Sequence, residues 1–474
     1  MRMSKTYKFT ISLLFLVNIL SAQSVRDRID NTVKRFLADS SMKHAILSLY
    51  ILNGKTNEVV YDLNGETGLA PASCQKIFTS IAAMDLLGHD YRFKTELGYD
   101  GTLQNGELNG NLFLIGYGDP TLGSWRFNET KEDKILNELE DALKVHRIKK
   151  IKGSFYVYEQ KFETQTIPGG WIWDDMGNYY GAGVSALNWR ENQYDLKLKP
   201  GNKVGEPATI LFSKPQLINC YLYSELVTGE KGSGDNAYIY LSPNGKYGFL
   251  RGSIPLGVDT FTISGSFPNP ASQLMHTITE KLEKNGWQMI RGISNAIRID
   301  FSDKRDTLKK YTSIYTHFSP SLDSINYYFL KRSINLYGEA LMKTIAYEKK
   351  GFGNTDSGIA IIKKYWQERG IEKSALHIMD GSGLSPQNRV TTHALVTALQ
   401  YAKTRDWFNS FYFDLPEYNQ MKLKSGSIGG ARSFAGYHTA KDGTPYTMAI
   451  IVNNYDGSST AIVNKMFLIL NELK

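Results

Sequence analysis

The sequence predicts an α+β fold: an antiparallel sheet flanked by helices, assembled from both ends of the chain around a long, mostly β insertion. Three observations carry this. A helix and a hairpin pattern follow residue 23, three strands and an amphipathic helix close the chain, and short strands rich in Gly, Asn and Tyr fill most of Thr95 to Asp300. At 474 residues the chain exceeds what one hydrophobic core organises. An apolar content of 42 % with 22 % charge excludes the disordered and fibrous classes.

The first 22 residues read as a signal peptide. Arg2, Lys5 and Lys8 give a basic start, Phe9 to Leu20 an apolar stretch, and Ser21 and Ala22 small residues for cleavage. As a helix that stretch would span about 18 Å, short of the roughly 30 Å hydrocarbon core. No Cys marks a lipid-anchored cleavage site, and no other segment has the length and apolarity of a span. The expectation is an exported, periplasmic protein with its leader removed and no stable membrane insertion.

Next, Val25, Ile29, Val33, Phe36 and Leu37 recur at helical spacing behind Ser24, a good N-cap. Ala45 to Leu52 is strand-like, Asn53-Gly54 signals a hairpin turn, and Glu58 to Leu63 returns. Pro71 and Ser73 open a helix that runs through Ile77, Ile81, Ala82 and Met84 to Leu87, closed by Gly88. The insertion shows one clear helix, near Ser272 to Lys284, and room for two domains. Lys422 to Ile428, Ser433 to Thr439 and Tyr446 to Asn453 are three strands, the last two joined at Asp442-Gly443. The final helix sets Ile462, Val463, Met466, Phe467, Leu470 and Leu473 on one side, a face for packing onto the sheet.

Composition narrows the chemistry. Lys and Arg number 55 against 47 Asp and Glu, with three of those cations in the leader, so the remaining basic excess is mild. No dense Lys/Arg run with interleaved aromatics occurs, which leaves nucleic-acid binding unsupported. Cys74 and Cys220 are the only cysteines, and Cys74 lies in a helix start destined for burial, so two free thiols are expected. The eight histidines are scattered, and no metal-ligand spacing appears.

Three short motifs fit together. In Ser73-Cys74-Gln75-Lys76, residues three apart at a helix start share a face with Cβ atoms roughly 5–6 Å apart. The Lys amine can then take the Ser proton, and the helix N-terminus favours the developing anion. Ser333-Ile334-Asn335 opens a helical stretch through Leu336, Leu341 and Met342; its hydroxyl and amide can relay a proton and hold a substrate amide. Lys424-Ser425-Gly426 sits in a strand, where a cation, a hydroxyl and a glycine suit a peptide carboxylate and close backbone approach. Alone, each is matched by a capped surface helix or a solvated edge lysine. Their order matches the set of penicillin-binding proteins and class A β-lactamases, and each falls on the element that set requires.

Longer stretches narrow the family. They are Ala70-Pro71-Ala72-Ser73, Gly118-Asp119-Pro120-Thr121-Leu122, Trp173-Asp174-Asp175-Met176, Lys331-Arg332-Ser333-Ile334-Asn335-Leu336-Tyr337, Asp380-Gly381-Ser382-Gly383-Leu384-Ser385 and Phe434-Ala435-Gly436-Tyr437. Together they resemble the type-4, class C low-molecular-mass penicillin-binding proteins, the D-alanyl-D-alanine carboxypeptidase/endopeptidase family. The resemblance covers nearly the whole mature chain and is weakest from about Arg190 to Val258. Ser425 stands where the family more often has Thr, and Cys74 follows the nucleophile; both departures bear on rate and inhibitor affinity rather than on reaction type.

The resemblance implies a transpeptidase-like catalytic domain from residues 23–95 and 300–474, an inserted domain II from 96–190 and 265–299, and a nested domain III from 191–264. Ser333 lies 257 residues beyond Lys76, which leaves room for both insertions and argues against a compact β-lactamase. It also implies the roles. Ser73 is the nucleophile, Lys76 the base, Ser333 and Asn335 the relay and substrate guide, and Lys424, Ser425 and Gly426 the carboxylate site. The N–H groups of Ser73 and Ser427 form the oxyanion hole. Asp175 in Trp173-Asp174-Asp175-Met176 meets the free amine of the stem's diamino acid, presented at a loop tip held by Trp171 to Trp173, Met176 and Tyr179. Peptidoglycan stem peptides are the substrate, β-lactams the covalent inhibitors, and no cofactor is required. A β-lactamase, a transpeptidase or a wall-binding protein without catalysis are the alternatives, and a broken motif, the mark of the last, is not found. Gly181-Ala182-Gly183 reads as a plain turn rather than a dinucleotide fingerprint. Asp380 and Ser382 read as a tight loop beside the cleft, without chemistry.

Overall fold

The computed structural model describes residues 24–289 and 310–474; the leader and part of the segment assigned to domain II lie outside the described residues. Its central sheet has six strands in the order Val59–Leu63, Ile46–Asn53, Pro445–Asn453, Ala431–Thr439, Met421–Ile428 and Glu417–Tyr418, every neighbour antiparallel. The first long strand therefore pairs with the last, Ile46 opposite Asn453 and Asn53 opposite Tyr446. Pro445–Asn453 is buried on both faces, which is why its sequence is an almost unbroken apolar run.

The sheet separates two cores. Met448, Ile450 and Val452 turn toward the helices Val25–Leu37 and Ser459–Asn471, where they meet Ile29, Val33, Ile462 and Met466. Ala449 and Ile451 turn the other way, toward the helices Lys76–Leu86, Asn335–Lys350 and Thr392–Ala402. The closing helix thus packs on the sheet, as its apolar side predicts. Among the described residues no helix is long and apolar enough to cross a membrane.

Local chemistry sets the details. The Ser24 hydroxyl oxygen accepts the Asp27 N–H at 3.1 Å and caps the first helix. The hairpin turn spans Gly54–Glu58 rather than two residues. The Asn53 side chain accepts the Lys55 N–H at 3.0 Å, and the left-handed position is Asn57 (φ 63°) rather than Gly54. The helix expected to run unbroken from Pro71 instead opens with a 3-10 turn, Ala72–Gln75, before Lys76–Leu86. Ala72 enters that turn at φ 45°, a conformation its Cβ disfavours.

The middle of the chain is mostly β, in several small sheets. The expected helix appears as Pro270–Lys284, and a second one, Glu132–Val145, was missed. Its apolar face, with Ile135, Leu136, Leu139 and Leu143, packs with Leu274, Ile278 and Leu282 in a core distinct from the two around the central sheet.

Two glycines let the helix Asn335–Lys350 seat against the loop that follows Met379. A Cβ on Gly381 would lie 2.3 Å from the Gly338 carbonyl oxygen. Gly381→Ala should lower stability by about 1–3 kcal/mol through overpacking. In a urea melt the midpoint should fall while the slope stays unchanged; an unaltered midpoint would show that helix and loop separate without cost.

Candidate active site

Ile77, Phe78 and Ile81 are fully buried and anchor the helix that begins at Lys76, so its first turn is held at a fixed depth. In the preceding 3-10 turn, with three residues per turn, positions i and i+3 eclipse. That geometry stacks Lys76 over Ser73, and Lys76 Nζ lies 2.9 Å from Ser73 Oγ. The same nitrogen donates to Asn335 Oδ1 at 2.7 Å and to the Ser382 carbonyl at 2.7 Å. Lys76 has no exposure to water. Burial first, and the Lys424 charge second, hold its pKa well below the usual lysine range, against the pull of Asp380 and Glu339. As an ammonium it donates three bonds; once neutral, its lone pair can receive the Ser73 hydrogen.

The second and third motifs meet each other. Lys424 Nζ donates to Ser333 Oγ at 3.0 Å and to the Ser425 carbonyl at 2.8 Å. Lys424 is also buried, and burial pushes its pKa down to about 8. Ser333 sits at φ 57° between the helices Leu322–Lys331 and Asn335–Lys350, a left-handed corner that costs about 1–3 kcal/mol and occurs where function demands it. Two networks result, Ser73–Lys76–Asn335 and Ser333–Lys424–Ser425. The buried Cys74 thiol joins them by donating to the Lys424 carbonyl at 3.1 Å. Burial raises that thiol to about 11, and both cysteines are free.

Gly426 shows why the strand motif ends in glycine. A Cβ there would lie 2.4 Å from the Pro71 carbonyl oxygen and 3.0 Å from the Ser73 nitrogen. The strand Met421–Ile428 is thereby pressed against the turn that carries Ser73. Ser425 Oγ donates to the Tyr418 hydroxyl at 3.1 Å. Ser427 Oγ accepts from the Arg432 guanidinium and is otherwise exposed.

Asp175 stands apart from these networks, joined to them through Tyr180. Asn335 Nδ2 donates to the Tyr180 carbonyl at 2.8 Å, and the Tyr180 side chain bonds the Asp175 carboxylate. Its surroundings differ from the expectation. Asp175 is half-buried rather than exposed at a tip, and burial raises its pKa to about 6. Trp173 and Tyr179 face water, whereas Trp171 is buried.

The sequence reading left the Asp380 loop without a role; the structure gives it a supporting one. The Asp380 carboxylate accepts from Gln75 Nε2 at 2.9 Å, Trp171 Nε1 at 2.9 Å, Gly383 N at 2.7 Å, Ser385 N at 2.7 Å and Asn388 Nδ2 at 3.1 Å. This fixes the loop so that the Ser382 carbonyl faces Lys76. Glu339 was missed. It lies one turn beyond Asn335 on the same helix face, fully buried, and its carboxylate accepts the Gly381 N–H at 3.0 Å. A glutamate four residues after a motif asparagine, in the apolar first half of the helix, was the available signal.

The model of the D-Ala-D-Ala carboxypeptidase 3 (S13) family matches residues 29–472. A D-alanyl-D-alanine carboxypeptidase of Actinomadura sp. (strain R39) is 25 % identical over 464 residues, covering 91 % of this chain and 82 % of that one. The D-alanyl-D-alanine carboxypeptidase DacB of Haemophilus influenzae is 24 % identical, covering 85 % and 84 %. The crystal structure of penicillin binding protein 4 from Haemophilus influenzae superposes with a TM-score of 0.79 at 21 % identity, covering 94 % and 99 %, and shares the fold.

Burial and the Asp380 charge push the Glu339 carboxyl up to about 8, so it keeps its proton at neutral pH. A carboxyl raised in the folded state costs stability progressively as pH climbs from its unfolded value, roughly 4.3, toward that folded value. Glu339→Gln should fold like the wild type and lose less stability than it between mildly acidic and mildly alkaline pH. Glu339→Ala, which strands the Gly381 N–H, should cost about 1–3 kcal/mol throughout. Parallel melting curves of wild type and Glu339→Gln across that range would contradict the assignment.

Proposed function

The chain belongs to the D-Ala-D-Ala carboxypeptidase 3 (S13) family, and we propose that it hydrolyses the D-Ala-D-Ala ends of peptidoglycan stem peptides, and D-Ala cross-links between stems, through an acyl-enzyme on Ser73. One observation carries the reading: a buried Lys76 amine, driven toward its neutral form, lies 2.9 Å from the Ser73 hydroxyl. Neutral Lys76 takes the Ser73 proton as Oγ bonds to the carbonyl carbon of the penultimate D-Ala. The N–H groups of Ser73 and Ser427 bear the oxyanion, each donor contributing about 3–4 kcal/mol. The tight seating of Gly426 on Ser73 supports pairing those donors. Collapse breaks the C–N bond, and the proton returns through Ser333 to the leaving amine while Asn335 holds the substrate amide. Water then adds to the ester and frees Ser73. Lys424 and Ser425 grip the terminal carboxylate, a hold that weakens as pH rises through about 8 and Lys424 loses its charge. Side chains and water close the proton balance, so the reading calls for no cofactor and no metal.

The same reading keeps the proposed division of the chain. The two cores around the central sheet are built mostly from 23–95 and 300–474, with Phe162, Ala182, Val184 and Ala186 of the insertion joining one of them, and one further core from Leu97 to Leu282 runs through both proposed inserted domains. A periplasmic location, with residues 1–22 removed, completes it.

A β-lactam should open onto the same hydroxyl. Intact-mass analysis after incubation with penicillin should show one covalent adduct on the wild type and none on Ser73→Ala. An adduct that persists in the alanine variant would sink the assignment of the nucleophile.

Asp175 is proposed to receive the free amine of the stem's diamino acid. Its carboxyl, with a pKa of about 6, is charged above that pH and loses its charge as pH falls through it. Asp175→Asn should therefore slow turnover of amine-bearing muropeptides several-fold at neutral pH, within the range of a partly buried ion pair. The difference should vanish in mild acid, and penicillin acylation should stay unchanged. Equal losses on substrates with and without the amine would mark Asp175 as structural.

A further inference from the structure

The strand Tyr247–Pro255 pairs in parallel with Tyr221–Ser224 and antiparallel with Asn236–Tyr240. Residues paired across a sheet share a face, and every second residue of a strand returns to it. Register therefore sets Tyr221 beside Tyr247, Tyr223 beside Phe249, and Phe249 beside Tyr240, while Leu222, Leu250 and Ile239 turn to the core. The aromatic face is uncovered: Tyr221, Tyr223, Tyr247 and Phe249 are 58, 53, 60 and 43 % exposed. The rings lie near-parallel, 25° apart for Tyr221 and Tyr247 and 27° for Tyr223 and Phe249, with centroids separated by 5.7 and 5.9 Å.

At its other end the row runs into the candidate active site. Trp173, itself exposed, has its ring centroid 6.0 Å from that of Tyr240. Trp173 opens the helical turn that carries Asp175, and Asp175 bonds Tyr180, whose carbonyl is held by Asn335. The rings thus follow one another in a track from Tyr221 to Trp173, by ring contact except between Phe249 and Tyr240, which strand pairing sets side by side.

Its chemistry selects an occupant. The cation on this face, Arg251, is paired with Glu225 at 2.6 Å and lies over the Tyr240 ring, so the track offers a polyanion no unpaired charge. No aliphatic side chain interrupts it between Trp173 and Tyr221, which disfavours a lipid or an apolar helix. The hydroxyls of Tyr221, Tyr223 and Tyr247 bond no protein group among the described residues and remain available to a ligand. A ring face is the negative part of an aromatic quadrupole, and the C–H-lined face of a pyranose ring is its complement.

We propose that this track binds the glycan strand of the substrate: a neutral, β-linked chain of N-acetylated amino sugars whose rings stack on Trp173, Tyr240, Phe249, Tyr223, Tyr247 and Tyr221. The inference rests on the reading of the substrate as a peptidoglycan stem, and it places the polymer so that a stem hanging from it enters the cleft beside Asp175.

The test uses the full chain with Ser73→Ala, which removes hydrolysis, and, as the bare glycan, an insoluble uncharged β-linked polymer of N-acetylglucosamine. The chain should co-sediment with this bare glycan. Tyr223→Ala with Tyr247→Ala should weaken that binding roughly tenfold, the loss of two contacts of aromatic-pair strength, and tryptophan at both positions should restore it. With Ser73 intact, the alanine pair should raise KM on whole sacculi and leave turnover of a soluble pentapeptide unchanged. Undiminished binding of bare glycan by the alanine pair would overturn the proposal. So would equal losses on polymer and soluble peptide, or a wild-type dimer that the alanine pair dissociates without loss of glycan binding. Because sedimentation needs no catalysis, a chain that binds bare glycan yet never cleaves D-Ala-D-Ala would overturn the proposed activity and leave the track standing.

Discussion

A lysine amine with no access to water must either find acceptors or lose its proton, and Lys76 is placed so that both pressures act together. Its three acceptors come from three distant parts of the chain: Ser73, Asn335 and the Ser382 carbonyl. Much of the surrounding structure exists to deliver them. The 3-10 turn supplies the first, the left-handed corner at Ser333 starts the helix that supplies the second, and the Asp380 loop supplies the third. Lys424, equally buried and close enough to repel, completes the pressure on the proton. Two buried cations beside each other are a poor way to stabilise a protein and an effective way to make a base.

The insertion is wired into this arrangement. An asparagine amide has two unlike ends, and the Tyr180 carbonyl takes the Asn335 N–H, which leaves Oδ1 for Lys76. Trp171 from the same segment ties to Asp380, and Lys343, buried on the Asn335 helix, donates to the carbonyls of Gln165 and Val184 at 2.6 and 3.2 Å. Loops of the insertion therefore orient groups that the central sheet and its helices could not orient alone.

What could be read in the sequence followed from local causes. The strands of the central sheet announced themselves because burial on both faces forces near-continuous apolar runs, as in Tyr446 to Val452. The three motifs were legible because turn and strand geometry fixes how residues a few positions apart must sit. Gly426 was even legible in its reason, the close approach of backbone. The supporting groups were not. Glu339 and Asp380 matter through contacts that span 42 to 305 residues, which the local pattern around each does not reveal. Asp175 was placed on the right loop but in the wrong medium, since its burial comes from neighbours that only the folded insertion supplies. The helix Glu132–Val145 did carry a clear apolar period and was overlooked in a stretch dominated by strand patterns.

The pairing of Ile46–Asn53 with Pro445–Asn453 has a consequence in time. The centre of the sheet joins strands about four hundred positions apart, so a very long loop closure precedes its principal core. A chain made from its N-terminus presents Ser73 and Lys76 early, but the strand that presses Gly426 against them arrives almost last. Until then the amine stays wet, keeps its proton and has no power as a base. A hydrolase built this way is unarmed until its chain is complete, because the strand that dries its amine is among the last to be made.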